Sequence, residues 1–112
     1  MSETETMKSE ISNTLKELLQ KKGINVQKMI IFGSYARGVQ REDSDIDIII
    51  VSRDFRDKSI FERAELATGV GREMVKKTKK PFDLLFYSDD EWNRGHSLVI
   101  NEAKEGGEVI YG

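Results

Sequence analysis

The chain has no cysteine, one proline (Pro81), one histidine (His96) and one tryptophan (Trp92) in 112 residues. Without cysteine it has no disulfide framework, no thiolate metal site and no cysteine nucleophile. One histidine with no cysteine beside it cannot build a zinc centre, so His96 reads as a surface or capping residue. No apolar run approaches the ~20 residues that a membrane span needs. The polar, mixed-charge start MSETETMKSE is not a secretory signal. These absences predict a cytoplasmic protein with no membrane partner. Excess charge of one sign is missing too: 18 basic residues face 20 acidic ones, for a net charge of −2. There is no general bias toward nucleic acid, which is not expected as a direct substrate.

What is present is 38% hydrophobic and 34% charged residues, enough for one modest core under a heavily charged surface. No repeat, low-complexity segment or linker divides the chain, so residues 1–112 are expected to form a single domain, with 1–7 frayed. Ile11, Leu15, Leu18 and Leu19 recur at helical spacing, and Gly23 fits the stop of that helix. Met29 to Phe32 reads as a short buried strand, and the β-branched run Ile46 to Val51 as a central one. Ser59 and Glu62 match a capping box that opens a helix toward Lys77, weakened at Gly69 and Gly71. Pro81 precedes a third strand, Phe82 to Tyr87. Ser88 and Glu91 form a second capping box, Ser97 to Gly106 reads as a helix, and Glu108 to Tyr111 as a last short strand. The lysines 76, 77, 79 and 80 read as a solvated helix end. Phe55, Phe61 and Trp92 read as core or interface anchors. This order predicts one sheet with helices packed on it.

One stretch contradicts ordinary strand composition. IIFGSYARGVQREDSDIDIIIV drops from an apolar run into Gly33-Ser34, then enters the next run through Asp45 and Asp47. Aspartate disfavours strands. Residues two apart on a strand share a face roughly 6.5–7 Å apart. Asp45 and Asp47 therefore project together and Ile46, Ile48 and Ile50 project oppositely. Two such carboxylates can converge on a hard cation such as Mg²⁺. Gly33 permits close backbone approach to a ligand, and the N–H groups after Ser34 can start a helix that cradles phosphate. Asp83 is again an acid at the mouth of an apolar strand. It is a candidate third member that shares metal or deprotonates an attacking hydroxyl, as in two-metal sites. Taken one by one, each of these residues also reads as an ordinary polar turn or strand end. A Walker A loop fails because Val39 follows Gly38. An EF-hand counted from Asp43 fails because Ile48 occupies the glycine position and Asp54 the glutamate position.

The combination Gly33-Ser34, Asp45-Ile46-Asp47 and Asp83 resembles the nucleotidyltransferase superfamily typified by DNA polymerase beta. GSYARG followed by SDIDIIIV resembles its minimal nucleotidyltransferase (MNT) branch, with the likeness covering Met29 to Tyr87. The resemblance implies a palm-like α/β (α+β) fold, a mixed sheet of three to five strands packed with helices. It implies AMP transfer from ATP with Mg²⁺ at a two-metal site formed by Asp45, Asp47 and Asp83, which are the expected catalytic and metal residues. Gly33, Ser34 and Arg37 are the expected nucleotide-binding residues. It also implies a HEPN-domain toxin as partner, neutralised by adenylylation of a tyrosine, in a type VII-like toxin–antitoxin pair, and a homodimer or hetero-oligomer. Two alternatives stay open: an antitoxin that acts by contact alone, and a nucleotidyltransferase for small molecules. Adenine-contacting residues have no assignment from the sequence.

Overall fold

The computed structural model describes residues 3–41, 43–95 and 97–112. The reading of His96 as a surface or capping residue lies outside the described residues. In chain order the elements are α1 (Glu3–Lys21), β1 (Lys28–Phe32), α2 (Ser34–Arg37), β2 (Ile46–Val51), a 3-10 turn (Arg53–Phe55), α3 (Ile60–Leu66), α4 (Val70–Thr78), β3 (Phe82–Tyr87), α5 (Asp89–Arg94), α6 (Leu98–Gly106) and β4 (Glu108–Tyr111). Among the described residues no helix is long and apolar enough to cross a membrane.

The four strands form one mixed sheet in the order β3-β2-β1-β4, within the three to five expected. β1 pairs antiparallel with β2 and with β4, whereas β2 pairs parallel with β3. Two adjacent parallel strands need a crossover, and α3 and α4 supply it. Its start is the expected capping box: the Glu62 backbone N–H donates to Ser59 Oγ (3.2 Å) and the Ser59 N–H to Glu62 Oε1 (2.8 Å). The expected weakness becomes a full break at Gly69, whose φ of 87° ends one helix and opens the next, while Gly71 stays within α4. Ser88 and Glu91 form the second box, at the start of α5. Lys76 and Lys77 occupy the last turn of α4, where cations complement the helix dipole.

α1 begins at Glu3, so the helix takes in residues 3–7, which the sequence reading set before it. Met7 extends the apolar stripe of Ile11 and Leu15 by one further turn and packs against the core. Glu3 and Glu5 in the first turn suit the positive end of the helix.

The sheet's two faces are covered unequally. Met29, Ile31, Ile46, Ile48 and Ile50 pack under Ile11, Leu15 and Leu19 of α1, Val70 and Met74 of α4, and Phe55. The opposite face carries Ile30, Phe32, Ile49 and Val51, packed with Ala103 of α6 and with Leu85, Tyr87, Trp92 and Val99, which are half-buried. Phe61, by contrast, is 84% exposed. The second face is therefore left open at the end of β2 where the aspartates stand.

Ile48 is fully buried in the larger cluster, so Ile48→Ala is expected to cost about 2–5 kcal/mol, measured as a lower urea midpoint at unchanged slope. Val109→Ala on β4, where the side chain is half exposed, is expected to cost about 1 kcal/mol or less.

Candidate active site

The turn after β1 is built around Gly33. Its backbone (φ 73°, ψ −146°) lies where essentially only glycine is stable. A β-carbon added there would collide with the Asp47 carboxylate. The conformation requires glycine, and any side chain there would also have to push the Asp47 carboxylate aside, because the turn passes directly over that acid of the neighbouring strand. α2 follows at once. Gly33 has no side chain to cap it, so the first N–H groups of the helix remain available to a ligand. Tyr35 is buried in the larger core and anchors this single turn. Gly38, in the left-handed region at φ 72°, closes it.

Asp47 is the second residue of β2, and strand pairing sets both of its neighbours. It lies opposite Phe32 on β1 and opposite Asp83 on β3. Adjacent strands stand about 4.8 Å apart, so the parallel register itself places Asp47 and Asp83 side by side. Asp45 immediately precedes β2. Alternation follows the expected pattern: Ile46, Ile48 and Ile50 enter the larger core, while Asp47 shares its face with Ile49 and Val51.

All six residues singled out in the sequence line one cleft of about 570 Å³: Gly33, Ser34, Arg37, Asp45, Asp47 and Asp83. Ser44, Phe32, Leu85, Val99 and Glu102 complete its lining. Phe32 and Leu85 were open to inference from strand alternation, since one lies opposite Asp47 and the other two residues beyond Asp83. Val99 and Glu102 had no such signal. They reach the cleft only because α6 packs over β1, and a glutamate on an amphipathic helix otherwise reads as solvent-facing. Arg37 Nη1 stands 3.5 Å from Glu102 Oε1, with both side chains more than half exposed.

Burial raises the Asp47 carboxyl above the ordinary carboxylate range, and the negative charges of Asp83, Asp45 and Glu102 add to that rise. The donors are all carboxylate oxygens, the set that suits a hard divalent cation, and the charge gathered on Asp47 is the kind a cation would relieve. As they stand, no three acidic side chains among the described residues are close enough to hold one ion.

The comparisons with known proteins bear on the family and the fold. Residues 10–110 match the family described as the nucleotidyltransferase domain. Over 26 residues the chain is 65% identical to MJ0604 of Methanocaldococcus jannaschii, provisionally named a protein adenylyltransferase, a match that takes in 23% of this chain and 26% of that protein. The chain thus spans about a quarter of the length of that curated relative. Among solved structures, a chain of a toxin–antitoxin crystal structure with AMP-PNP is similar at a TM-score of 0.60 and 25% identity, over 89% of this chain and 72% of that one. A chain of a complex between a tri-AMPylated Shewanella oneidensis HEPN toxin and an MNT antitoxin shares the fold. Its TM-score is 0.56 at 21% identity, over 96% of this chain and 72% of that one.

A carboxyl raised on folding favours the folded state below its unfolded value, and that contribution is lost as pH rises through the raised folded value. At neutral pH the Asp47 charge therefore opposes folding. Asp47→Asn is expected to raise the melting temperature at pH 7 in chelating buffer by roughly 2–5 °C. The gain should shrink toward zero as pH falls below about 4, as thermal scans across pH would show.

Proposed function

The chain belongs to the nucleotidyltransferase domain family, and from that premise we propose that it transfers AMP from ATP to a tyrosine hydroxyl of a HEPN-domain partner, as the antitoxin of a toxin–antitoxin pair. The observation that carries this reading is the meeting of an uncapped Gly33-Ser34 turn with Asp45, Asp47 and Asp83 in one cleft. The provisional name of MJ0604 and the HEPN complex support the choice of adenylyl group and partner.

In this reading the backbone N–H groups after Gly33 hold the triphosphate, with the positive end of α2 beneath it. Arg37 adds a cation at the same wall. Its long, exposed pairing with Glu102 is worth at most about 1 kcal/mol, so a triphosphate can draw it away. Mg²⁺ held by Asp45, Asp47 and Asp83 would neutralise phosphate charge and stabilise the departing pyrophosphate. The acceptor oxygen forms a bond to the α-phosphorus while the bond from that phosphorus to the oxygen bridging the β-phosphate breaks. Pyrophosphate leaves, and Asp83, at the exposed mouth of its strand, receives the hydroxyl proton. Four of the eleven residues lining the cleft are acidic and only Phe32, Leu85 and Val99 are large and apolar, so the cleft offers little surface to grip a small acceptor and the reading takes the acceptor from another protein.

The test is transfer of label from ATP labelled at the α-phosphate to the HEPN-domain partner that this reading calls for. Wild type with Mg²⁺ is expected to label that protein on tyrosine. Asp45→Asn with Asp47→Asn should lower the rate by at least about a hundredfold, and chelation of divalent ions should do the same. Neutralisation of the partner without ATP, undiminished by these substitutions, would instead establish inhibition by contact.

A further inference from the structure

β3 is an edge strand, and the hydrogen bonds on its inner side reveal which of its residues face out. The Ile46 N–H donates to the Pro81 carbonyl (2.9 Å) and the Ser52 N–H to the Tyr87 carbonyl (3.1 Å). In a parallel ladder the N–H and C=O of one residue point the same way, so 81, 83, 85 and 87 turn toward β2. Phe82, Leu84 and Phe86 turn their backbone groups outward. The far end of this edge is closed, because Arg63 Nη1 donates to the Phe86 carbonyl (3.0 Å) and pairs with Glu91 (2.7 Å). The outward N–H and C=O groups of Phe82 and Leu84 have no partner among the described residues.

An unpaired edge is a template for another strand. Natural edges are usually blunted by charged side chains, proline or a bulge; Phe82 to Tyr87 has no lysine, proline or bulge, Lys79, Lys80 and Pro81 lie just before it, and its single charge is Asp83. The open part is also the part that carries Asp83. Beyond it, Leu85 lines both the cleft and a groove of about 250 Å³ beneath α3, bounded by Ile60, Arg63, Ala64 and Phe86. Edge, groove and cleft are thus continuous.

We propose that the β3 edge at Phe82–Leu84 docks an extended segment of the acceptor protein, which adds to the sheet as a fifth strand and brings its hydroxyl side chain beside Asp83. The proposal rests on the nucleotidyl-transfer reading above. An added strand lies about 4.8 Å from β3, and its residue opposite Asp83 projects to the same face, which places a tyrosine there within reach of the acidic cleft. A second copy of this chain does not fit. Two-fold antiparallel pairing through Phe82 and Leu84 centres on Asp83 and sets two Asp83 carboxylates directly opposite each other, a destabilising like-charge pair, beside Asp45 and Asp47. The occupant is therefore a segment of a different protein with a neutral hydroxyl residue at that position. Main-chain pairing would hold it, as in other cases of strand addition.

The experiment is hydrogen exchange on the full wild-type chain, alone and with the HEPN-domain partner that the transfer reading calls for. On complex formation, exchange at Phe82 and Leu84 is expected to slow by at least roughly tenfold. A complex that forms and transfers label without that slowing overturns the docking line and leaves the transfer reading intact. A complex that slows exchange there but transfers no label supports the docking line and removes the transfer reading. Failure of the two proteins to bind overturns the docking line as well. Leu84→Pro, which deletes an outward N–H at a position where an edge strand tolerates proline, is expected to lower transfer at least about tenfold with ATP affinity within about twofold. The exchange result on the wild-type pair stands whether or not that variant folds.

Discussion

The molecule depends on the register of β2 between its two neighbours. Once Ile46 lies opposite Phe82, Asp47 must lie opposite Asp83, and two like charges share a sheet face at a cost on the order of 1 kcal/mol. What enforces the register is burial. Five of the six residues of β2 are buried, and each large aliphatic side chain so placed contributes roughly 1.5–3 kcal/mol. A slip by one residue would turn Ile46, Ile48 and Ile50 out of the larger core and Asp47 into it. The hydrophobic term wins by a wide margin, and the acids stay where the strand puts them.

The unequal covering of the sheet turns that register into a cleft. α1 and α4 cover the β1 and β2 part of one face and leave Phe82, Leu84 and Phe86 of β3 half-buried, while Ala103 of α6 packs against the other. A second full helical layer over the aspartates would bury them without partners, which is prohibitive for charged groups. The open end of the sheet, the absence of a side chain at Gly33 and the charge pressure on Asp47 therefore belong together: the chain keeps a partly desolvated acidic site and leaves it accessible. Stability at this end is spent on polarity that the fold itself does not use, a pattern common at functional sites.

The same economy shapes the sheet's edges. β4 covers the free side of β1, and α3 reaches over β3 only as far as the Phe86 carbonyl, where Arg63 stands. The half of β3 nearest Asp83 is left without a neighbour. Among the described residues no element completes the wall of the cleft on that side, and the proposed function and the proposed docking line both look to a second protein for it.

Much of this architecture was legible in the residue order. Both capping boxes, at Ser59 and Ser88, are local motifs whose partners lie three residues apart, so neighbouring residues alone specify them. β2 and β3 were legible from β-branched and aromatic composition, and the turning of Asp47 away from the face of Ile46, Ile48 and Ile50 from a period of two. The reach of α1 back to Glu3 was not legible, because Met7 stands in a polar run and shows its role only when packed on the core. The parallel pairing of β2 with β3, the approach of Gly33 to Asp47, the arrival of Val99 and Glu102 from α6, and the open edge at Phe82–Leu84 depend on segments far apart in the chain. Local periodicity can state which way a side chain points along its own element. Which element comes to lie beside it is decided only when the buried faces find each other and the long loops between them close.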